Sequence, residues 1–317
     1  MFLLLLAPAF AQENYQILRT GNAQDLRTQP AFGMALMGGG TDQADAFRWF
    51  LTKAAGGDVV VLRASGTDAY NPYMMGLASL NSATTIILKD RAAASDPAVL
   101  DKVRHAEAIF FAGGDQWNYV RMWRDTPLSA AIQERVRQHV PIGGTSAGLA
   151  ILGQYYFSAM NDTVQSPAAL IDPFDAKITI GHDFLTLPFL TGVITDSHFV
   201  RRDRLGRTIA FLARMINDGG PATARAIAVD EKNAVLVEPT GSASLIGDGA
   251  AYFFQTSRPP EVIRPGTPLT LRGVNVYRIR KDGKFDLGTW KGSGGTAYTI
   301  SVVDGVLSSS QSGGARY

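Results

Sequence analysis

From Phe32 onward, short and wholly apolar runs alternate with stretches whose apolar residues recur at helical spacing. Residues 32–37 form the first run, closed by Gly38-Gly39-Gly40. Thr41 or Asp42 is then placed to cap a helix through Ala54, and residues 58–62 follow as a second strand. The unit reads βαβ. Residues 84–88 predict a third strand, Asp96-Pro97 opens a helix through Arg104, and residues 108–112 predict a fourth strand ending in Gly113-Gly114. After a further helical stretch, residues 140–144 read as a fifth strand. Strands apolar on both faces and spaced by helices indicate a parallel sheet covered on both sides. The predicted class is α/β, a mostly parallel doubly wound sheet flanked by helices, with ligands at the carboxyl ends of its strands.

The second half has a different rhythm. Residues 201–217 predict a helix, but residues 226–229, 234–237, 244–246, 250–254 and 274–279 are short strands separated by turn residues. Asp282-Gly283 has the form of a hairpin turn. These strands are expected to extend the sheet with antiparallel members. At the other end, MFLLLLAPAFAQ is an apolar run closed by a small-x-small cleavage form. The expected organisation is a signal peptide over 1–11, an N-terminal extension over 12–30, a main domain over 31–291 and a loosely held Gly/Ser-rich tail over 292–317. Export, to the periplasm or the medium, follows from the first of these, with no membrane insertion after processing.

Composition narrows the chemistry. With 46% hydrophobic residues, 18% charged residues and a net charge of +2, the 317-residue chain reads as globular and not as a nucleic-acid binder. It has no cysteine, so covalent catalysis must use an oxygen or a lysine. HExxH, paired-His and EF-hand spacings are missing and the Gly38 run lacks a phosphate-binding pattern, so no metal and no cofactor is expected.

The strongest local signal is Gly144-Thr145-Ser146-Ala147-Gly148, a G-x-S-x-G elbow between an apolar strand and a helical pattern. A sharp turn there strains the serine backbone and crowds its neighbours, which favours glycine at the flanks, and the Ala147 amide at a helix start is set to face an oxyanion. A serine hydroxyl needs a base. Of the four histidines, His105 and His139 lie in charged helical stretches and His182 lies in a loop, whereas His198 ends an apolar strand running into polar residues. Asp196, Asp230 and Glu231 are candidates to orient its ring. Gly113-Gly114-Asp115-Gln116 closes a neighbouring strand and brings amides and the Gln116 side chain to the same rim. Arg201, Arg202, Arg204 and Arg207 crowd one helix start, where like charges oppose the dipole and each other, and so read as a pocket for a substrate carboxylate.

In order, Gly113-Gly114-Asp115-Gln116, Gly144 to Gly148, Asp196-Ser197-His198-Phe199 with Arg202, Arg204 and Arg207, and Asp230-Glu231 resemble the signature blocks of the cyanophycinases and their serine peptidase family, S51. Similarity to that family implies a fold like the class I glutamine amidotransferases and a triad of Ser146, His198 and Glu231. It also implies an oxyanion site at Gly114 and Ala147, a substrate pocket of Gln116, Asp196, Ser197, Arg202, Arg204 and Arg207, and a homodimer. In this pocket Asp196 is expected to meet a substrate guanidinium. Cyanophycin or a short aspartyl peptide is the implied substrate. Ser197 stands where cyanophycinases usually carry Gln, and Leu149 where Ala is common.

Overall fold

The computed structural model describes residues 14–317. The expected signal peptide, and the first two residues of the expected extension, lie outside them.

Among the described residues the strands form two sheets. The first has the spatial order Tyr15–Gly21, Ser82–Leu88, Asp58–Arg63, Ala108–Phe111, Ile142–Thr145, Met34–Met37, Ala234–Val237, Ser242–Ile246, Lys284–Asp286, Lys291–Ser293. Its middle five strands, from Ser82–Leu88 to Met34–Met37, are mutually parallel, and antiparallel strands extend both edges. Nearly every side chain of the five is buried, as continuous apolar runs require. On one face Ala44–Thr52 packs Ala46, Phe47, Phe50 and Leu51, and on the other Pro97–Arg104 packs Val99, Leu100 and Val103. Each fully buried Phe, Leu or Val contributes about 1.5–3 kcal/mol.

Most of the later strands do not join this sheet. Val193–Asp196, Arg225–Val229, Ala251–Gln255, Thr267–Ile279 and Thr296–Val303 are neighbours in a second sheet. Its inner face meets the first sheet through Val193, Ile227, Val229 and Phe253. Its outer face is covered by Leu205–Asn217. The expected antiparallel extension therefore holds for Ala234–Val237 and Ser242–Ile246, Lys284–Asp286 and Lys291–Ser293 continue that edge as strands the sequence does not predict, and the rest build a second layer. Asp282-Gly283 turns no hairpin: Thr267–Ile279 belongs to the second sheet and Lys284–Asp286 to the first, so the turn crosses between layers.

Both flanking segments carry strands. Tyr15–Gly21 lies within the expected extension and pairs along its whole length with Ser82–Leu88. The segment from Gly292, expected to be loosely held, contains Thr296–Val303 and Val306–Ser309 in the second sheet, with Tyr298, Ile300 and Val302 buried. The helix expected from Arg201 begins at Leu205, because residues 201–203 form a turn. Neither Thr41 nor Asp42 caps the first helix: its N-cap is Gln43, without a side-chain cap bond.

Candidate active site

Two topological facts bring the site together. Met34–Met37 and Ile142–Thr145 are parallel neighbours, so the turns after Met37 and Thr145 leave the first sheet at one rim. Ala234–Val237 runs antiparallel to Met34–Met37 with Ala234 opposite Met37, so the residues just before Ala234 reach that same rim. In the second sheet Val193–Asp196 and Arg225–Val229 are parallel and end together. Residues 230–233 therefore carry the chain from the second sheet to the first, past the end of Val193–Asp196. Ser146, His198 and Glu231 lie on these turns.

Ser146 has φ 56° and ψ −114°, a left-handed backbone that costs a non-glycine residue about 1–3 kcal/mol. The flanking glycines permit the turn. A Cβ on Gly144 would stand 2.5 Å from the Gly148 oxygen, and one on Gly148 would stand 2.2 Å from the Phe111 oxygen. His198 is left-handed too, at φ 48°, and its amide donates to the Gly38 oxygen at 2.8 Å. The Gly38-Gly39-Gly40 turn is held between His198 and the acidic loop, because the Lys232 amide donates to the Gly39 oxygen at 2.8 Å. Gly39 has φ +89°, and a Cβ there would lie 2.5 Å from His198 Cε1 and 3.1 Å from Ser146 Cβ. Glycine is required at this position both by the backbone and by the lack of space. The sequence places this run on the rim of the elbow serine but assigns it no part in the site; its contact with both Ser146 and His198 comes from the structure.

Ser146 Oγ lies 2.6 Å from His198 Nε2, and His198 Nδ1 lies 2.6 Å from Glu231 Oε1. With Glu231 ionised, Nδ1 carries the proton and donates to it, which leaves Nε2 to accept from the serine hydroxyl. Burial pushes the His198 pKa below its ordinary value of 6.5; the Glu231 hydrogen bond opposes this, and the Arg202 and Arg204 charges reinforce it. The imidazole is thus neutral near pH 7, as a proton acceptor must be. The hydrogen bond from His198 holds Glu231 below its ordinary 4.5, against a smaller effect of burial. The three residues can take the hydroxyl proton and stabilise the imidazolium that results.

The other acids fall into different roles. Asp230 Oδ1 accepts from the Val200 and Arg201 amides at 3.1 and 3.0 Å, which ties down the turn after His198. Asp196, expected to meet a substrate guanidinium, is buried and meets the protein's own. It accepts from Arg207 Nε at 2.9 Å, Arg204 Nη1 at 3.2 Å, Thr208 Oγ1 at 3.2 Å and the Ser197 amide at 2.9 Å. Arg207 lies 5.1 and 5.6 Å from the ring centroids of Phe157 and Phe211, which stack on each other, and its side chain is only 3% exposed. Burial raises the Asp196 pKa and the two guanidinium groups more than reverse it, so its carboxyl stays below the ordinary carboxylate range. The arginine cluster is thus divided. Arg204 and Arg207 are paired inside, Ser197 is buried and offers its carbonyl to Arg204 at 2.8 Å, and Arg202 stands at the surface, 54% exposed and 4.0 Å from Glu231 Oε1.

On the opposite flank of the elbow, a Cβ built on Gly113 would be 3.5 Å from Ser146 Cβ, so the Gly113-Gly114 turn abuts the serine. Ala147 opens the short helix Ala147–Ala150, and Gln116 opens Gln116–Trp123, whose N-cap Asp115 accepts from the Trp117 amide at 2.9 Å. Gln116 Nε2 reaches the Phe157 oxygen at 3.4 Å. The remaining three histidines are elsewhere: His182 is exposed and paired with Asp183, His105 is paired with Asp101, and His139 is exposed just after the helix Pro127–Arg137. Among the described residues no group of three His, Asp or Glu side chains could hold a metal ion.

The sequence model of Peptidase family S51 matches residues 56–243, more than half of the chain and the whole of the Ser146, His198 and Glu231 set. A cyanophycinase of Geminocystis herdmanii is 29% identical over 163 residues, covering 51% of this chain and 54% of its own length. A cyanophycinase of Synechococcus elongatus is 26% identical over 230 residues, covering 69% and 66%. The matches thus span about half to two thirds of those curated relatives. The crystal structure of a peptidase from an acI-B1 Actinobacterium superposes with a TM-score of 0.55 at 15% identity, over 81% of this chain and 98% of that one, a likeness of fold.

Proposed function

The chain belongs to Peptidase family S51, and from that premise we propose that it is an exported serine exopeptidase that cleaves cyanophycin to β-aspartyl-arginine dipeptides. The observation that carries the reading is the continuous hydrogen-bonded chain from Ser146 Oγ through His198 to Glu231. In this reading Ser146 Oγ attacks the scissile carbonyl as its proton passes to His198 Nε2. Glu231 holds the resulting imidazolium, and backbone amides at Gly114 and Ala147 receive the oxyanion. Collapse breaks the C–N bond while Nε2 returns the proton to the departing amine. Water, deprotonated by the same nitrogen, then releases the acyl group and restores the serine.

The exposed guanidinium of Arg202 supports a substrate that bears a carboxylate near the scissile bond. Export rests on the apolar N-terminal run and its cleavage form. Purified protein is tested on cyanophycin and, in parallel, on α- and β-aspartyl dipeptides. Release of β-aspartyl-arginine from the polymer is the expected result. Hydrolysis of the dipeptides alone replaces the polymer with short aspartyl peptides as substrate, and inertness towards all three contradicts the reading.

A further inference from the structure

Asp42, one of the two residues expected to cap the first helix, does not cap it. Asp42 follows the Gly38-Gly39-Gly40 turn and is half-buried, and among the described residues its carboxylate makes one hydrogen bond, from the Tyr70 hydroxyl at 2.9 Å, and no ion pair. Three other carboxylates withdrawn from solvent are richly partnered, while the buried Glu107 accepts only from the Asp58 amide, at 2.8 Å, among the described residues and does not line the aromatic-walled cleft that Asp42 lines. Asp58 accepts from Arg19, Asn81 and Ser82, Glu238 from Trp49 and Lys53, and Asp196 from two arginines. A carboxylate partly removed from water with a single neutral donor is an uncompensated cost. Burial accordingly raises the Asp42 pKa above its ordinary value, with the Tyr70 hydrogen bond opposing.

Asp42 lines a cleft of about 460 Å³ together with Gly40, Thr41, Arg63, Tyr70 and Tyr73. The two tyrosine rings meet edge to face at 6.4 Å, and the buried Phe47 backs both, at 5.7 and 5.3 Å. Phe110, from the centre of the parallel block, supports Tyr70 at 5.4 Å. The aromatic wall is therefore set by the core. Arg63 is occupied by its own loop: Nε donates to the Ser65 oxygen at 2.5 Å and Nη1 to the Thr67 oxygen at 2.7 Å.

The cleft is tied to the reacting atoms. Gly39 abuts Ser146 and His198, and consecutive Cα atoms are about 3.8 Å apart, so the Asp42 Cα lies within about 11 Å of the Gly39 Cα. Gln43 Nε2 donates to the Lys232 oxygen at 2.7 Å, which joins this turn to the loop that carries Glu231. The carboxylate and the aromatic faces form a site for a flat cation, since a guanidinium pairs with the first and stacks on the second.

We propose that Asp42, Tyr70 and Tyr73 form the subsite that holds the arginine guanidinium of the substrate, a role resting on the peptidase reading above. Asp42→Asn keeps an acceptor for the Tyr70 hydroxyl and removes the charge. Its steady-state kinetics are compared with wild type on a β-aspartyl-arginine oligomer and on the same oligomer with citrulline, the neutral isostere. Wild type is expected to favour arginine by about ten-fold or more in kcat/KM, the loss of one charge-assisted hydrogen bond. Asp42→Asn is expected to abolish that preference by raising KM for the arginine substrate while kcat changes less than about two-fold. Tyr73→Leu, which leaves the carboxylate in place, is expected to weaken the preference about three-fold by removing a cation–π face.

Calorimetry of N-acetyl-arginine amide on Ser146→Ala protein, with and without Asp42→Asn, reads the subsite apart from the chemistry. At least ten-fold weaker binding in the double variant is expected. Hydrolysis with an arginine preference that survives Asp42→Asn overturns the subsite and leaves the peptidase reading standing. If neither oligomer is cleaved, the peptidase reading falls and the calorimetry alone decides: binding lost with Asp42→Asn keeps the guanidinium site, and equal or undetectable binding ends it.

Discussion

Two charge networks start within two residues of each other, at Asp196 and His198, and they differ in nearly everything except composition. In one, Asp196 and Arg207 are 4% and 3% exposed and satisfy each other with Arg204 and Thr208. In the other, His198 and Glu231 are 8% and 24% exposed, and the imidazole leaves Nε2 to the serine. A buried, fully paired carboxylate has no capacity left for a ligand, so Asp196 sets where Val193–Asp196 ends and therefore where His198 begins. A partly exposed acid whose one side-chain hydrogen bond among the described residues comes from a histidine can respond when that histidine gains charge. Burial and partner count separate scaffold from chemistry here, although both lie in one short block.

The largest expected effect is on the second network. Ser146→Ala is expected to lower turnover by roughly 10⁴-fold or more, with a melting temperature close to that of wild type, as for other triads. Glu231→Gln keeps the shape, loses the charge that stabilises the imidazolium, and is expected to cost about 10³- to 10⁴-fold in kcat. Denaturant unfolding of both should match wild type within about 1–2 kcal/mol, because each variant loses one hydrogen-bonding group and keeps nearly the same shape. The first network should respond the other way. Asp196→Ala leaves Arg207 and Arg204 with uncompensated buried charge and is expected to lose about 3–5 kcal/mol of stability by urea unfolding. A stable Asp196→Ala protein that loses only activity would erase the contrast between the two networks.

The smallest effect concerns pH. A His198 pKa below 6.5 places the acid limb of kcat/KM below pH 6.5. Arg202 is one of the charges that lower it, so Arg202→Gln should move that limb towards higher pH, by less than about one unit since the guanidinium is half exposed. A limb that stays fixed or moves down would remove Arg202 from the electrostatics of the base. The linked effect on stability has a definite sign: as pH falls below 6.5 the unfolded chain takes up the His198 proton before the folded one does, so this residue destabilises the fold in acid. Glu231, held below 4.5, adds stability above that pH which is lost as pH falls through its depressed value.

The parallel block and its serine were legible because local pattern decides them. Five apolar runs with helices between them have few other solutions, and glycine at 144 and 148 reports the crowding at the elbow. Glu231 was legible only through resemblance. It sits where the chain crosses from one sheet to the other, and no spacing along the sequence reports which distant turns meet there. Asp196 was misassigned because an acid two residues from a histidine looks the same whether its partners come from substrate or from a helix eleven residues on. The second sheet was hidden for a related reason: strand partners are non-local, and short alternating strands fit an extended sheet or a second layer equally well. The last strands were readable in principle. Tyr298, Ile300 and Val302 alternate with polar residues across Thr296–Val303, but the Gly/Ser content around them outweighed that pattern.

The most direct test is intact-protein mass spectrometry after exposure to a serine-directed acylating probe, followed by peptide mapping. One adduct per chain on Ser146 is predicted, blocked by Ser146→Ala and slowed strongly by Glu231→Gln. An unlabelled wild-type protein, or an adduct on any other residue, would contradict the claim that His198 and Glu231 make Ser146 a nucleophile.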